Sequence, residues 1–409
     1  MKSLLTIALV AATLATGIES MPAEDTTHLL ETFRKKYDFP ALAVIVVKDG
    51  KICDRAAVGV RKLGEPTLVT TNDVFQINSC TKSMTATLAA IFIEEGKLRW
   101  DTSIAEVFPE LKGKMNKQYE NVTIEQLLTH RGGVPTRPPV DAIKRAFEVH
   151  GHVPEELRPA ALARFGTFDF SDKETQRTPV EQRREFIEAV LVQSPEAVPG
   201  TQIIYSNQGY AIVGAMLEKI AGKSWEDLMA EKLFNPLHMD TAGFGVPGTI
   251  GKVDQPWGHT IVGETVKPVQ YDNPPAVAPG GAVHCSLDDL ARFTIAHLQG
   301  EKNGGLLKPE TFRRLHTPPE GTYISGGWLP PGGNYACGWI CANHDWAGGR
   351  TLYHAGANNM WKMIMWLVPE KNFSVIVVTN FDRPGSASAK TEDECNEVAD
   401  ALIKKWLVN

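Results

Sequence analysis

Strand-like runs stand at both ends of this 409-residue chain, and helix-like patterns fill the stretch between them. That distribution constrains the fold more than any one motif does. Near the start, Ala41-Leu-Ala-Val-Ile-Val-Val47 is an unbroken apolar run, and Asp49-Gly50 is a hairpin turn into a second strand over 51–60. Near the end, residues 334–342, 351–354, 360–369 and 373–380 read as strands, and a helix follows over about 391–407. A first helix is expected over 24–37. From 79 to about 299 the patterns are helical, with helices at 123–130, at 208–220 before Gly222, and from Ser286-Leu-Asp-Asp289 to 297. The simplest assembly joins the two ends. It is α/β of the α+β type: an antiparallel sheet flanked by helices, formed by about 21–75 and 300–409, with an inserted, mostly helical lobe over about 76–299. Residues 137–198 are rich in charge and proline and read as a long excursion over the surface or over a site. A ligand site between the lobes is expected.

Composition excludes some partners. The net charge of −6 argues against nucleic acid and against an anionic membrane. Met1-Lys2, the apolar stretch from Leu4 to Ala12 and small residues to Gly17 read as a secretory signal peptide over 1–20. The apolar stretch is too short to span a bilayer, so export to the periplasm or the medium is expected, without stable membrane insertion. Six cysteines permit disulfides but do not require them. Cys337 and Cys341, on one strand, would lie roughly 13 Å apart, too far to bond to each other.

Phe75-Gln-Ile-Asn-Ser79-Cys-Thr-Lys82-Ser-Met-Thr carries the chemistry. It sets a serine and a lysine three residues apart at the start of a helix whose buried face is Met84, Leu88, Ile91 and Phe92, with Gly96 as its stop. An amine that close can take the serine's proton if its pKa is lowered. The bland alternative is an N-cap serine and a solvated first-turn lysine. Tyr205-Ser-Asn207 follows a Pro-Gly turn and opens a helix; the tyrosine can share a proton with a lysine at lowered pKa, and Asn207 can position a substrate carbonyl or amide. Tyr119-Glu-Asn121 and Tyr271-Asp-Asn273 match the same pattern in less suitable contexts. His354-Ala-Gly356-Ala357 ends a strand, where the glycine admits a substrate to the backbone and the next amide can donate to an oxyanion. In His130-Arg-Gly132 the glycine is better explained as a helix stop. Gly222-Lys223-Ser224 is not a phosphate loop, because Leu217 stands where its first glycine should be. His150-Gly-His152 is read as exposed loop rather than as a metal site, and no metal or cofactor is expected. Cys80 points about 100° away from Ser79 on a helix and is read as packing.

Taken in this order, the three motifs resemble those of the serine β-lactamase and penicillin-binding-protein superfamily, nearest its class C β-lactamase branch with esterase and D-aminopeptidase relatives. The segments 122–135, 199–207 and 279–293 are similar to that family too, and the resemblance runs from about residue 25 to the end. It implies a serine hydrolase acting through an acyl-serine on a small-molecule or short-peptide substrate: an ester, an amide or a D-amino-acid peptide. Ser79 would be the nucleophile, Lys82 and Tyr205 would share acid and base work, and Asn207 would touch the acyl side. The N–H groups of Ser79 and Ala357 would form the oxyanion hole, beside Gly356. Alternatives are a true β-lactamase, a D-Ala-D-Ala carboxypeptidase, or a catalytically silent binder of cell-wall peptides. One departure stands out: His354-Ala-Gly356 replaces the usual Lys-Thr-Gly. His354 is expected to face the cleft and to hold a substrate carboxylate only when protonated.

Overall fold

The computed structural model describes residues 23–408 apart from 151–152, 168, 171–176, 322–328 and 330–331, so the expected signal segment lies outside the described residues. The strands are β1 (Ala41–Lys48), β2 (Lys51–Gly59), β3 (Val74–Gln76), β4 (Gly243–Phe244), β5 (Gly258–Val262), β6 (Thr265–Val269), β7 (Val283–Ser286), β8 (Asn334–Tyr335), β9 (Ile340–His344), β10 (Gly349–Ala357), β11 (Lys362–Val368) and β12 (Phe373–Thr379). The chain's ends do meet. Seven strands form one sheet in the order β2-β1-β12-β11-β10-β9-β8, antiparallel throughout, with β1 against β12 from Leu42–Thr379 to Lys48–Phe373. Asp49 and Gly50 both take positive φ, 54° and 74°, as the expected two-residue hairpin requires.

The central strands are apolar on both faces because both faces are covered. In β1, Ala43, Ile45 and Val47 join the larger core, while Leu42, Val44 and Val46 join a second core. Helices α1 (Ala23–Lys36) and, at the far end of the chain, Ser388–Ile403 cover that second face. The larger core is built on α2 (Thr81–Glu94). The sequence presents α2 as amphipathic, but the fold buries every residue from Thr81 to Phe92. Its polar side chains are satisfied locally: Ser83 Oγ donates to the Cys80 carbonyl, Thr87 Oγ1 to the Ser83 carbonyl and Thr85 Oγ1 to the Pro279 carbonyl, each at 2.8 Å.

The middle of the chain is less purely helical than expected. Strand β7 pairs with β3 and β4 in a three-stranded sheet, and β5 with β6 in a hairpin. The excursion is more ordered than its composition suggests. It contains helices at Val140–His150, Arg158–Phe165 and Pro179–Leu191. The last opens on a capping box, Thr178 to Glu181, and buries Arg183 in ion pairs with Glu218 and Glu226. The helix Asn207–Ala221 begins at Ser206, whose hydroxyl accepts from the Gly209 N–H, and ends on Gly222 at φ 67°.

Candidate active site

Ser79 sits in a single 3₁₀ turn, Asn78–Cys80, that runs directly into α2. Asn78 takes φ 48°, so the chain is bent sharply just before the serine. Lys82 lies one turn on and is fully buried. Its Nζ is 3.1 Å from Ser79 Oγ, 2.6 Å from Asn207 Oδ1 and 2.7 Å from the Gly280 carbonyl. None of these partners is an acid, so burial brings the Lys82 pKa down to about 7. As an ammonium it donates to all three oxygens. As a free amine it keeps two donors, and its lone pair faces the serine hydroxyl.

Tyr205 is half-buried and hydrogen-bonded to the Ser79 side chain, with its ring centroid 4.8 Å from Lys82 Nζ. Burial pushes its phenol up, not down. The expectation of a lowered tyrosine pKa therefore fails: the environment favours the neutral phenol, and the group poised to accept a proton is Lys82. Tyr205 and Asn207 are held by His130. The Ile204 N–H donates to the His130 carbonyl at 2.8 Å, the Ser206 N–H donates to His130 Nδ1 at 3.2 Å, and the imidazole lies 4.4 Å from the Tyr205 ring. Burial and the nearby Lys82 keep His130 neutral. The sequence suggested none of this; a histidine at φ 56° is the only local oddity, and it shows only in the fold.

The third motif ends β10. A Cβ on Gly356 would meet the Ile77 carbonyl oxygen at 2.1 Å, so only glycine lets β10 lie against the turn that carries Ser79. Ala357 is exposed at the strand end. Ser79, Asn207 and Ala357 line one cleft of about 420 Å³. His354 does not. It is 2% exposed, its Nε2 is 3.0 Å from the Tyr335 hydroxyl, and its Nδ1 is 2.7 Å from the Ala355 carbonyl. Burial and Lys82 bring its pKa down to about 3. The expected charge on His354 between pH 8 and 5.5 is thus corrected: the strand's alternation does turn it toward the site, but Tyr335 and the protein interior close over it.

Of the competing motifs, Tyr119 is fully buried in the core, whereas Tyr271, Asp272 and Asn273 line the cleft. The excursion contributes Phe147, Val153, Leu157 and Ala161 to the same lining. Cys80 is buried, as packing requires, and all six cysteines are free. Among the described residues no group of acids, histidines and cysteines could hold a metal.

A family model described as Beta-lactamase matches residues 26–397. Penicillin-binding protein 4 of Amycolatopsis lactamdurans is 27% identical over 382 residues, covering 87% of this chain and 85% of that protein. Protein flp of Staphylococcus aureus is 20% identical over 354 residues; the match covers 87% of this chain but 62% of that one. Among solved structures, a class C beta-lactamase superposes with a TM-score of 0.69 at 19% identity, over 95% of this chain and 98% of that one.

Proposed function

The chain belongs to the beta-lactamase family, and from that premise and the cleft's geometry we propose that it hydrolyses small esters, amides or D-amino-acid peptides through an acyl-Ser79 intermediate. The observation that carries the reading is Lys82: a buried amine, without an acid partner, 3.1 Å from the serine hydroxyl and half-deprotonated near pH 7. Ser79 Oγ attacks the substrate carbonyl as its proton passes to Lys82 Nζ. The oxyanion is stabilised by the N–H groups of Ser79 and Ala357, with Gly356 allowing the approach. The Tyr205 phenol gives its proton to the leaving alcohol or amine and recovers one from the Lys82 ammonium, which frees the lysine again. Water then gives a proton to the same amine and attacks the acyl-serine; as the acid leaves, the Lys82 ammonium returns that proton to Ser79 Oγ, 3.1 Å away. Asn207 holds Lys82 and faces the acyl side. His354 lies behind the cleft, hydrogen-bonded to the Tyr335 hydroxyl.

A phosphonate or boronate probe should add its mass to the peptide containing Ser79, and labelling that persists in Ser79→Ala would refute the assignment. A silent peptide-binding protein predicts no labelling and no turnover. A panel of chromogenic esters, D-aminoacyl amides and a cephalosporin separates the esterase or amidase reading from a true β-lactamase or D-Ala-D-Ala carboxypeptidase. Export is part of the proposal, on the strength of the N-terminal Leu4–Ala12 stretch. N-terminal sequencing of the protein recovered outside the cytoplasm should find a start shortly after residues 15–20; an intact Met1 in the cytoplasmic fraction would exclude export.

A further inference from the structure

The cleft wall holds two buried acceptor atoms, Asp272 Oδ2 and Asn78 Oδ1, for which the described residues supply no well-formed hydrogen bond. Asp272 is 2% exposed and lines the cleft. Its Oδ1 accepts from the Asn273 N–H at 2.7 Å, and its Oδ2 has no hydrogen-bond partner. Asn78, the residue before Ser79, is 1% exposed; its amide nitrogen donates to the Trp361 carbonyl at 3.4 Å and its Oδ1 is left without a donor. Each such acceptor forfeits the water it would otherwise bind, and these two of the protein's several line the same cleft.

Gln76 ties these parts of the wall together. Its Nε2 donates to the Tyr271 carbonyl at 3.3 Å, and its Oε1 accepts from Asn358 Nδ2 at 2.8 Å. Asp272 is therefore anchored beside the end of β10, on the side of the cleft that carries Ala357. Among the described residues that line the cleft there is no lysine, arginine or histidine. None of these described residues offers Asp272 a cationic partner, and the cleft beside it is open to one carried by a bound molecule.

We propose that the cleft takes substrates bearing an ammonium group, with Asp272 as its acceptor and the Asn78 amide oxygen as a second one. An ammonium supplies a positive charge and three donors, which is the chemistry both atoms lack. A substrate carboxylate would meet Asp272 with no counter-ion among the described residues that line the cleft. The carboxyl stands well above its usual range in the empty cleft, since burial outweighs the nearby N–H groups of Asn273 and Gly245, and a bound cation would reverse that balance. Phe147, Val153 and Leu157 offer an apolar wall for the rest of the molecule. The substrate class is then an ester or amide of an amine-bearing acid with an apolar side group. This inference rests on the acyl-Ser79 reading.

The test compares methyl esters of phenylalanine (both enantiomers), N-acetylphenylalanine and 3-phenylpropanoic acid. The α-ammonium also activates the ester itself, so the decisive quantity is how the amino to des-amino ratio of kcat/KM changes between wild type and Asp272→Asn. That ratio should fall by about tenfold or more in the variant, the scale of one charge-assisted hydrogen bond, and the N-acetyl ester should follow the des-amino one. A ratio unchanged in Asp272→Asn overturns the proposal. Should that variant fail to fold, wild-type inhibition decides. Phenethylamine should compete about tenfold more tightly than 2-phenylethanol, and equal inhibition overturns the proposal. Ser79-dependent hydrolysis of the des-amino ester without any amine preference would sink this inference and leave the acyl-serine reading standing. Failure of every probe to acylate Ser79 would sink both.

Discussion

Lys82 loses its proton near pH 7 because the fold strips water from it and sets no carboxylate beside it. If the free amine is the base, kcat/KM for an uncharged ester should rise with pH along a limb centred near 7; a flat profile from pH 5.5 to 8.5 would contradict that role. Tyr205→Phe should lower kcat by about 100-fold and leave the limb where it is, since Tyr205 is not the group that titrates there. The same amine marks stability. The unfolded chain holds this proton up to about pH 10.4 and the folded chain releases it near 7, so in that window the unfolded state binds more protons. Wild type should gain on Lys82→Met by at most about 1.4 kcal/mol per pH unit between 7 and 10, read from urea unfolding at several pH values. The spacing of Ser79 and Lys82 was legible in the sequence as a shared helical face. The burial was not, because Thr81, Ser83, Thr85 and Thr87 make α2 look half-polar until their bonds are seen: Thr81 accepts from the Val283 N–H, and the other three donate to carbonyls. His354 failed for the converse reason: its position on the strand was readable, but Tyr335 lying over it was not.

Strand β10 works as a spacer whose width is set by one missing carbon. In Gly356→Ala the new Cβ would press on the Ile77 carbonyl, so β10 and the turn bearing Ser79 must separate. We expect a loss of about 1–3 kcal/mol in stability. We expect a larger penalty in rate, about 10²–10³-fold in kcat, because Ala357 would leave its donor position. Equal kcat with only a lower Tm would show that the oxyanion site does not depend on this contact. Strands β1, β11 and β12 were readable as elements because each is a run of apolar residues, whereas the single strand expected over 334–342 is two short ones, β8 and β9, paired antiparallel with each other, so Cys337 lies between strands rather than on one with Cys341. The excursion helices were not readable, since only the side facing the core is apolar in Pro179–Leu191, and Arg183 and Gln182 are buried there as well. A usable signal existed in Thr178-Pro-Val-Glu181, which is both a capping box and a proline at the first helical position.

Across the whole molecule the groups gathered around Ser79 come from three places. Ser79 and Lys82 come from the head of α2, Tyr205 and Asn207 from the start of a helix more than a hundred residues on, and Ala357 from the sheet. The excursion closes the fourth side with Phe147, which lies 6.2 Å from Tyr271, ring to ring. Phe147→Ala should raise KM for aromatic or long-chain acyl esters by about tenfold and change acetyl ester hydrolysis little; equal effects on both would mean that the wall is not part of the binding site. The join of the chain's two ends was foreseeable from strand runs placed so far apart, whereas the small sheets around β7 were not, being two to four residues per strand. That join also orders events in time. Strand β1 has β2 beside it as soon as both are synthesised, but its other edge must wait for residues 373–379. Until the ribosome has made nearly the whole chain, the apolar hairpin stays open along one edge, and neither the sheet nor the serine turn resting on it can lock. Nascent chains stopped before residue 373 should therefore remain protease-sensitive and refractory to acylation at Ser79, and both properties should change together once β12 is free of the ribosome.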